Sequence, residues 1–399
     1  MTESFGQVLR RLRGGRSVRD VARLASCGKS HVSDLELGKR RPTRDMAAAL
    51  DAALGARGEL IALAEVRPDQ DPLAQADTLQ RGLHETLTAG MPTDAGLDEI
   101  EWTVARHGRA TRYRSERELL PELLADFGDL RLMLAGRQSA RVRRQLTIAV
   151  ARMSGLMALT LLKLGDNRSR AWWRTGRQAA ASAEDRATIS WMYAQEAYQR
   201  YYGGDMEGAV ELAVRAQHLA GGLPCAGQAL AAPLEARAHA LLGRAEEAAA
   251  ALAVAEKALE RLPAEEQIGS AFGYSESQLR FHAGNAWTHL GVTGRAREQQ
   301  ARALDLYPAS DRTDRSLIRL DQAMCLALDG DLPAAAVHAT KTVVDLAPEH
   351  RSALIIYRAR EVATRVPEMR EVRVLREVLA LPTGERDSGA DQPGDRGRH

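Results

Sequence analysis

Apolar residues near the N-terminus recur at helical spacing in short bursts. Phe5, Val8, Leu9 and Leu12 share one face, and Gly14-Gly15 ends that run. Ser17 stands three residues before Asp20, a capping-box-like start for a second helix through Val18, Val21 and Ala22. After a tight turn at "SCG" (26–28), the stretch "GKSHVSDLELGKRRPT" (28–43) carries apolar residues only at Val32, Leu35 and Leu37. Val32 and Leu35 lie one helical turn apart and face inward, and Gly38 stops the helix. Thr43 with Asp45 starts a fourth helix through Met46, Leu50 and Leu54, and a fifth runs through Leu60, Ile61 and Leu63. The pattern predicts a five-helix domain over residues 1–65.

A polar, proline-bearing stretch marks a linker over 66–76. Residues 77–140 hold further helical patterns, including "ELLPELLADFGDLRLML" (118–134), with no assignable chemistry. From residue 141 to 383 small residues recur at intervals of twelve and then seven: Ala197, Ala209, Ala216; Ala236, Ala248, Ala255; Gly284, Ala296, Ala303. Seven positions after each first small residue comes a turn glycine, Gly204, Gly243 or Gly291. Antiparallel helices need small residues where they cross and a glycine where the chain reverses. Weaker units flank these. Ala323, Gly330 and Ala335 fit although Thr342 takes the third small position, and Ala158 with Gly165 fits although Arg170 breaks the pattern. The expected architecture is all-α, five or six helix pairs stacked as a solenoid, with an insertion at 263–275. The polar tail 384–399 is expected to be disordered.

Net charge is +2, but residues 8–44 carry eleven cations against Asp20, Asp34 and Glu36, or +8 on 37 residues. The remainder must carry −6, which points to a polyanion partner for the N-terminus alone. A third helix with one apolar face leaves Lys29, Ser30, Ser33 and Asp34 free to meet base edges in the major groove. Lys39, Arg40 and Arg41 in the next turn suit phosphates, together with Ser17 and Thr43 at helix starts. Double-stranded DNA is the expected partner.

Other chemistry is excluded by what the spacing lacks. Cys27, Cys225 and Cys325 stand far apart, and the ten histidines show no metal-ligand spacing. "CGKS" lacks the glycine of a phosphate loop, since Arg23 stands there. No enzyme activity, metal or cofactor is expected. No apolar run reaches the roughly 18 residues of a membrane span, and the N-terminus lacks the apolar centre of a signal peptide. The chain is expected to be cytoplasmic, with no membrane partner.

"SVRDVARLASCGKSHVSDLELGKRRPT" (17–43) resembles the lambda-repressor-like helix-turn-helix of the Xre/Cro family, through the run Leu35-Glu36-Leu37-Gly38-Lys39-Arg40-Arg41-Pro42. The resemblance implies sequence-specific DNA binding, a homodimer on paired half-sites, and a buried Arg11–Glu36 ion pair. It departs at Val18, where the family often has a phosphate-touching Gln. "AGNAWTHLGVTGRAREQQARALDLYP" (283–308) resembles the tetratricopeptide repeat. In such a stack the inner helices line a concave face. Tyr198 and Tyr202, Arg237, then Phe281, Asn285 and His289 fall on that face, with Trp191 near one end. The mixture suits a peptide or small-molecule effector, with Asn285 to a backbone amide and Arg237 to a carboxylate. The joined architecture is similar to the RRNPP peptide-sensing regulators. Two functions stay open: a regulator whose repeats sense a ligand, or an interaction scaffold tethered to DNA.

Overall fold

The protein is described from a computed structural model covering residues 4–40, 42–64, 94–367 and 369–380. The linker at 66–76, the start of the 77–140 region, Arg41 and the tail 384–399 lie outside the described residues. The chain divides into two units, residues 1–87 and 88–399. All regular structure among the described residues is helical.

Among its described residues the first unit holds five helices: α1 (Phe5–Arg13), α2 (Val18–Leu24), α3 (Lys29–Glu36), α4 (Arg44–Leu54) and α5 (Glu59–Ala64). Three of these starts are set by a local side chain. Ser4 and Gln7 close a capping box on α1, Ser17 caps α2, and Thr43 caps α4. The predicted apolar positions Val8, Leu9, Val21, Val32, Leu35, Leu50 and Leu60 form one buried cluster. Gly6 lets α1 pass over the end of α3. A Cβ there would lie 2.7 Å from both Leu35 O and Glu36 O. Asp51 is buried and accepts from Gly58 N (2.8 Å) and Leu60 N (3.0 Å), fixing the entry to α5.

The described part of the second unit opens with α6 (Asp94–Tyr113) and α7 (Glu116–Ala135). Six helix pairs follow: α8 (Ala140–Lys163) with α9 (Ser169–Ser182), α10 (Arg186–Tyr202) with α11 (Met206–Ala220), and α12 (Ala226–Leu241) with α13 (Ala245–Arg261). The last three are α14 (Glu276–His289) with α15 (Thr293–Leu306), α16 (Arg312–Leu328) with α17 (Leu332–Val344), and α18 (Ala353–Arg365) with α19 (Arg370–Ala380). The small residues of the three clear units are all buried at these crossings. Gly165, Gly204, Gly243, Gly291 and Gly330 turn the chain between partners, all with φ between +73° and +92°. Gly176 of α9 lies against the second pair, where a Cβ would lie 2.3 Å from Met192 Cε of α10. Where the sequence pattern calls for a buried small residue, Arg170 is exposed and its neighbour Ser169 is buried instead.

Helix α8 has a window long and apolar enough to cross a membrane, a property the sequence reading missed because Arg152 interrupts it. Of that window 72% is buried in the unit, so its apolar side chains are spent on the core. The curve of pairs returns on itself: α8 of the first pair touches α18 of the sixth, and α6 touches α16 of the fifth. The 263–275 insertion folds inward. Ala271 N donates to Gly108 O (2.9 Å), and Ala271 O accepts from Trp191 Nε1 (2.6 Å).

Candidate nucleic-acid interface and inner cavity

Helix α3 is held by Val32 and Leu35, both buried, which turns its opposite side outward. Lys29 and Ser30 are exposed, and Ser33 and Asp34 are half-buried. None of these four side chains makes a hydrogen bond or ion pair with another described residue. Lys39 N (2.9 Å) and Arg40 N (3.3 Å) both donate to Asp34 O, tying the cationic turn to the end of α3. Lys39 and Arg40 are exposed, and Arg41 lies outside the described residues. Ser17 Oγ donates to Asp20 Oδ2 (2.7 Å) while accepting from Asp20 N (3.1 Å), which holds the Asp20 carboxyl below the usual range. A phosphate contact from Ser17 therefore requires its hydroxyl to leave Asp20. Thr43 Oγ1 accepts from Met46 N (3.2 Å) and keeps its own proton to donate.

The expected Arg11–Glu36 pair is replaced. Glu36 is taken by Arg13, with Nε–Oε1 at 2.5 Å and Nη2–Oε2 at 3.2 Å, and both side chains are largely buried. Arg11 reaches Glu59 on α5 instead, and both remain nearly half exposed. The two arginines are about 200° apart around the helix axis, so only one can face α3.

In the second unit six of the seven expected ligand residues come together. Arg237 Nε donates to Asn285 Oδ1 (2.8 Å), which also accepts from Tyr201 Oη (3.0 Å). Asn285 Nδ2 donates to both oxygens of Asp321 (3.0 and 2.9 Å). Arg358 binds Asp321 and Glu361, and its Nη1 lies 3.0 Å from His289 Nε2. Burial and the neighbouring Arg358 push His289 well below its ordinary pKa, so it accepts as neutral imidazole. Tyr202 Oη receives Arg237 Nη2 at 3.4 Å, Tyr198 Oη lies 2.7 Å from His282 Nε2, and Phe281 packs beside Arg237. Asn285 is thus committed to internal partners, not open to a peptide amide. Trp191 stands apart, under the insertion, with its ring 4.9 Å from that of Phe272.

Tyr201, Asp321 and Arg358 were not found from the sequence. The available signal was a charge set inside an apolar run: Asp321 in "LIRLDQAMCLAL" (317–328) and Arg358 in "ALIIYRAREVA" (353–363).

Beside this cluster lies a cavity of about 110 Å³. Tyr198, Tyr202 and Phe281 line it, with Leu159, Leu162, Leu230, Leu317 and Leu354. Its polar side holds Arg112, Lys163, Asp311 and Asp314. Arg112 lies 3.0 Å from Asp311 and 2.6 Å from Asp314, and Tyr307 Oη donates to Asp314 (2.8 Å). Burial, then the Asp314 charge, pushes Asp311 up to about 6. A second cavity of about 220 Å³, lined by Trp191, Cys225, Phe272 and Arg152, shares only Ser270 with the first.

A compact five-helix domain with an outward helix and a cationic turn defines a helix-turn-helix domain. Residues 4–64 match the family described as "Helix-turn-helix domain", which implies DNA binding and transcription regulation and is typical of non-enzymatic regulators. The rest is an all-helical region of paired helices. Comparison with curated proteins and with solved structures returns no match.

Proposed function

We propose that the protein is a sequence-specific transcription regulator whose second unit is a tetratricopeptide-type solenoid that senses a ligand and sets DNA affinity. The DNA part is carried by one observation: Lys29, Ser30, Ser33 and Asp34 face outward from α3 without partners in their own domain. A helix so equipped suits the major groove, with Lys29 donating to guanine and Asp34 accepting from cytosine. The sensing part is supported by the inner cavity, because its walls come from several helix pairs. A ligand there contacts several pairs at once and can alter the curvature of the stack. In a two-fold dimer reading half-sites about 34 Å apart, that alters the spacing of the DNA-binding domains, the differential contact a ligand-driven shift requires.

Genome-wide footprinting supplies the test site, and light scattering supplies the oligomeric state. Binding to the footprinted site is expected to be at least about a thousandfold tighter than to random DNA, and to change when the effector is added. Equal affinity for both DNAs overturns the regulator reading. A high-affinity site with no ligand response leaves the repeats as a protein-binding scaffold.

A further inference from the structure

Arg237 sits in the middle of the stack with none of its surface exposed. Its Cζ lies 4.4–5.8 Å from the ring centroids of Tyr198, Tyr201, Tyr202 and Phe281. Among the described residues it makes no ion pair, and its Nη1 has no hydrogen-bond partner. Asp321 does not fill this role. Both its oxygens accept from Asn285, one of them also binds Arg358, and Arg237 reaches it only through the Asn285 amide. A buried guanidinium with an idle donor and only aromatic and amide company is costly, and an anion is the group that would relieve it.

The 110 Å³ cavity shares three walls with that cage: Tyr198, Tyr202 and Phe281. On the scale where a cavity of ~150 Å³ takes benzene, this space suits an apolar body of about four to five heavy atoms, with any charged head reaching past the shared rings. Its acidic groups are already satisfied, because Asp311 and Asp314 hold Arg112. At this size the cavity does not take an extended peptide, and Ser270, Ala271 and the end of α6 form part of its wall, joined by the Ala271 N to Gly108 O bond.

We infer that this cavity takes a small monocarboxylic acid with an apolar body, whose carboxylate is received by Arg237 Nη1. The inference names the effector class for the sensing unit proposed above and rests on that reading. Admitting the carboxylate requires the rings of Tyr198, Tyr202 or Phe281 to shift. These rings belong to α10 and α14, so the same side chains that admit the ligand set the packing of two inner helices.

The test is calorimetric titration of the full-length protein with hexanoate and with hexanamide, its neutral isostere. Hexanoate is expected to bind at least about tenfold more tightly than hexanamide, and Arg237→Gln is expected to remove the difference. Should Arg237→Gln fail to fold by circular dichroism, Arg237→Lys and the acid–amide ratio on the parent protein still decide, with the acid preference expected in both. Equal binding of acid and amide overturns the inference, as does no binding of either at millimolar concentration, or hexanoate affinity surviving a folded Arg237→Gln. If hexanoate binds through Arg237 but leaves DNA affinity unchanged, the site stands and the sensor reading fails. If DNA affinity responds to other compounds while carboxylates do not bind, the sensor stands and this ligand class fails.

Discussion

Arg112 Nη2 lies 2.6 Å from Asp314 Oδ2 across 202 residues of sequence, and Asp311 shares the same guanidinium at 3.0 Å. Two buried or half-buried carboxylates on one cation leave Asp311 easier to protonate in the folded chain than in the unfolded one. With its folded pKa raised from 3.8 to about 6, Asp311 favours folding at low pH, and that contribution is lost as pH rises through this interval. Urea melts across pH 4 to 7 are expected to show a downward contribution with rising pH that Asp311→Asn removes. An identical pH profile in the variant would exclude the assignment.

Gly6 is required by the α1–α3 crossing, because a Cβ there meets two carbonyl oxygens at 2.7 Å. Backbone cannot move aside as a flexible side chain can, so Gly6→Ala is expected to destabilise the first unit by about 1–3 kcal/mol. Thermal melts read this directly. A variant as stable as the parent would mean that the helices part freely.

Glu36 and Glu59 both pair with arginines of α1, but in different surroundings. Glu36 is nearly buried with Arg13, whereas Glu59 and Arg11 are almost half exposed. Glu59→Ala is expected to cost less than about 1 kcal/mol, and Glu36→Ala more, since it strands a largely buried guanidinium. Chemical denaturation orders the two, and the reverse order would restore Arg11 as the structural partner.

Lys29→Ala and Asp34→Ala are each expected to lose about 1–3 kcal/mol on the preferred site and to relax preference at one base pair. Binding to randomised operators measures both effects. Equal losses on specific and random DNA would remove these residues from base reading.

Arg40→Ala is expected to weaken binding to every sequence and to lower the log–log salt slope by about one. Titrations at several salt concentrations give the slope, and an affinity loss at unchanged slope would show that Arg40 does not meet phosphate.

Much of this was legible because the signals are local. A left-handed turn demands glycine, so Gly204, Gly243 and Gly291 marked reversals from sequence alone, and Ala197, Ala209 and Ala216 marked a crossing. The Glu36 partner was missed because Arg11 and Arg13 are both cations on one short helix, and only the angle of α1 against α3 chooses between them. Asp321 and Arg358 escaped because an inner-face register projected from small residues does not reach their positions. The Arg112 clasp was out of reach for a different reason: nothing local in α6 announces a partner beyond residue 300.

The contact between α8 and α18 has an evolutionary consequence. An open solenoid stacks one-dimensionally, so a unit can be added or lost at an end with only one interface to repair. Here the last pair meets the first, and a seventh pair or a missing one would leave α8 facing the wrong helix. Repeat number, freely variable in an open array, is fixed in this chain by its own closure.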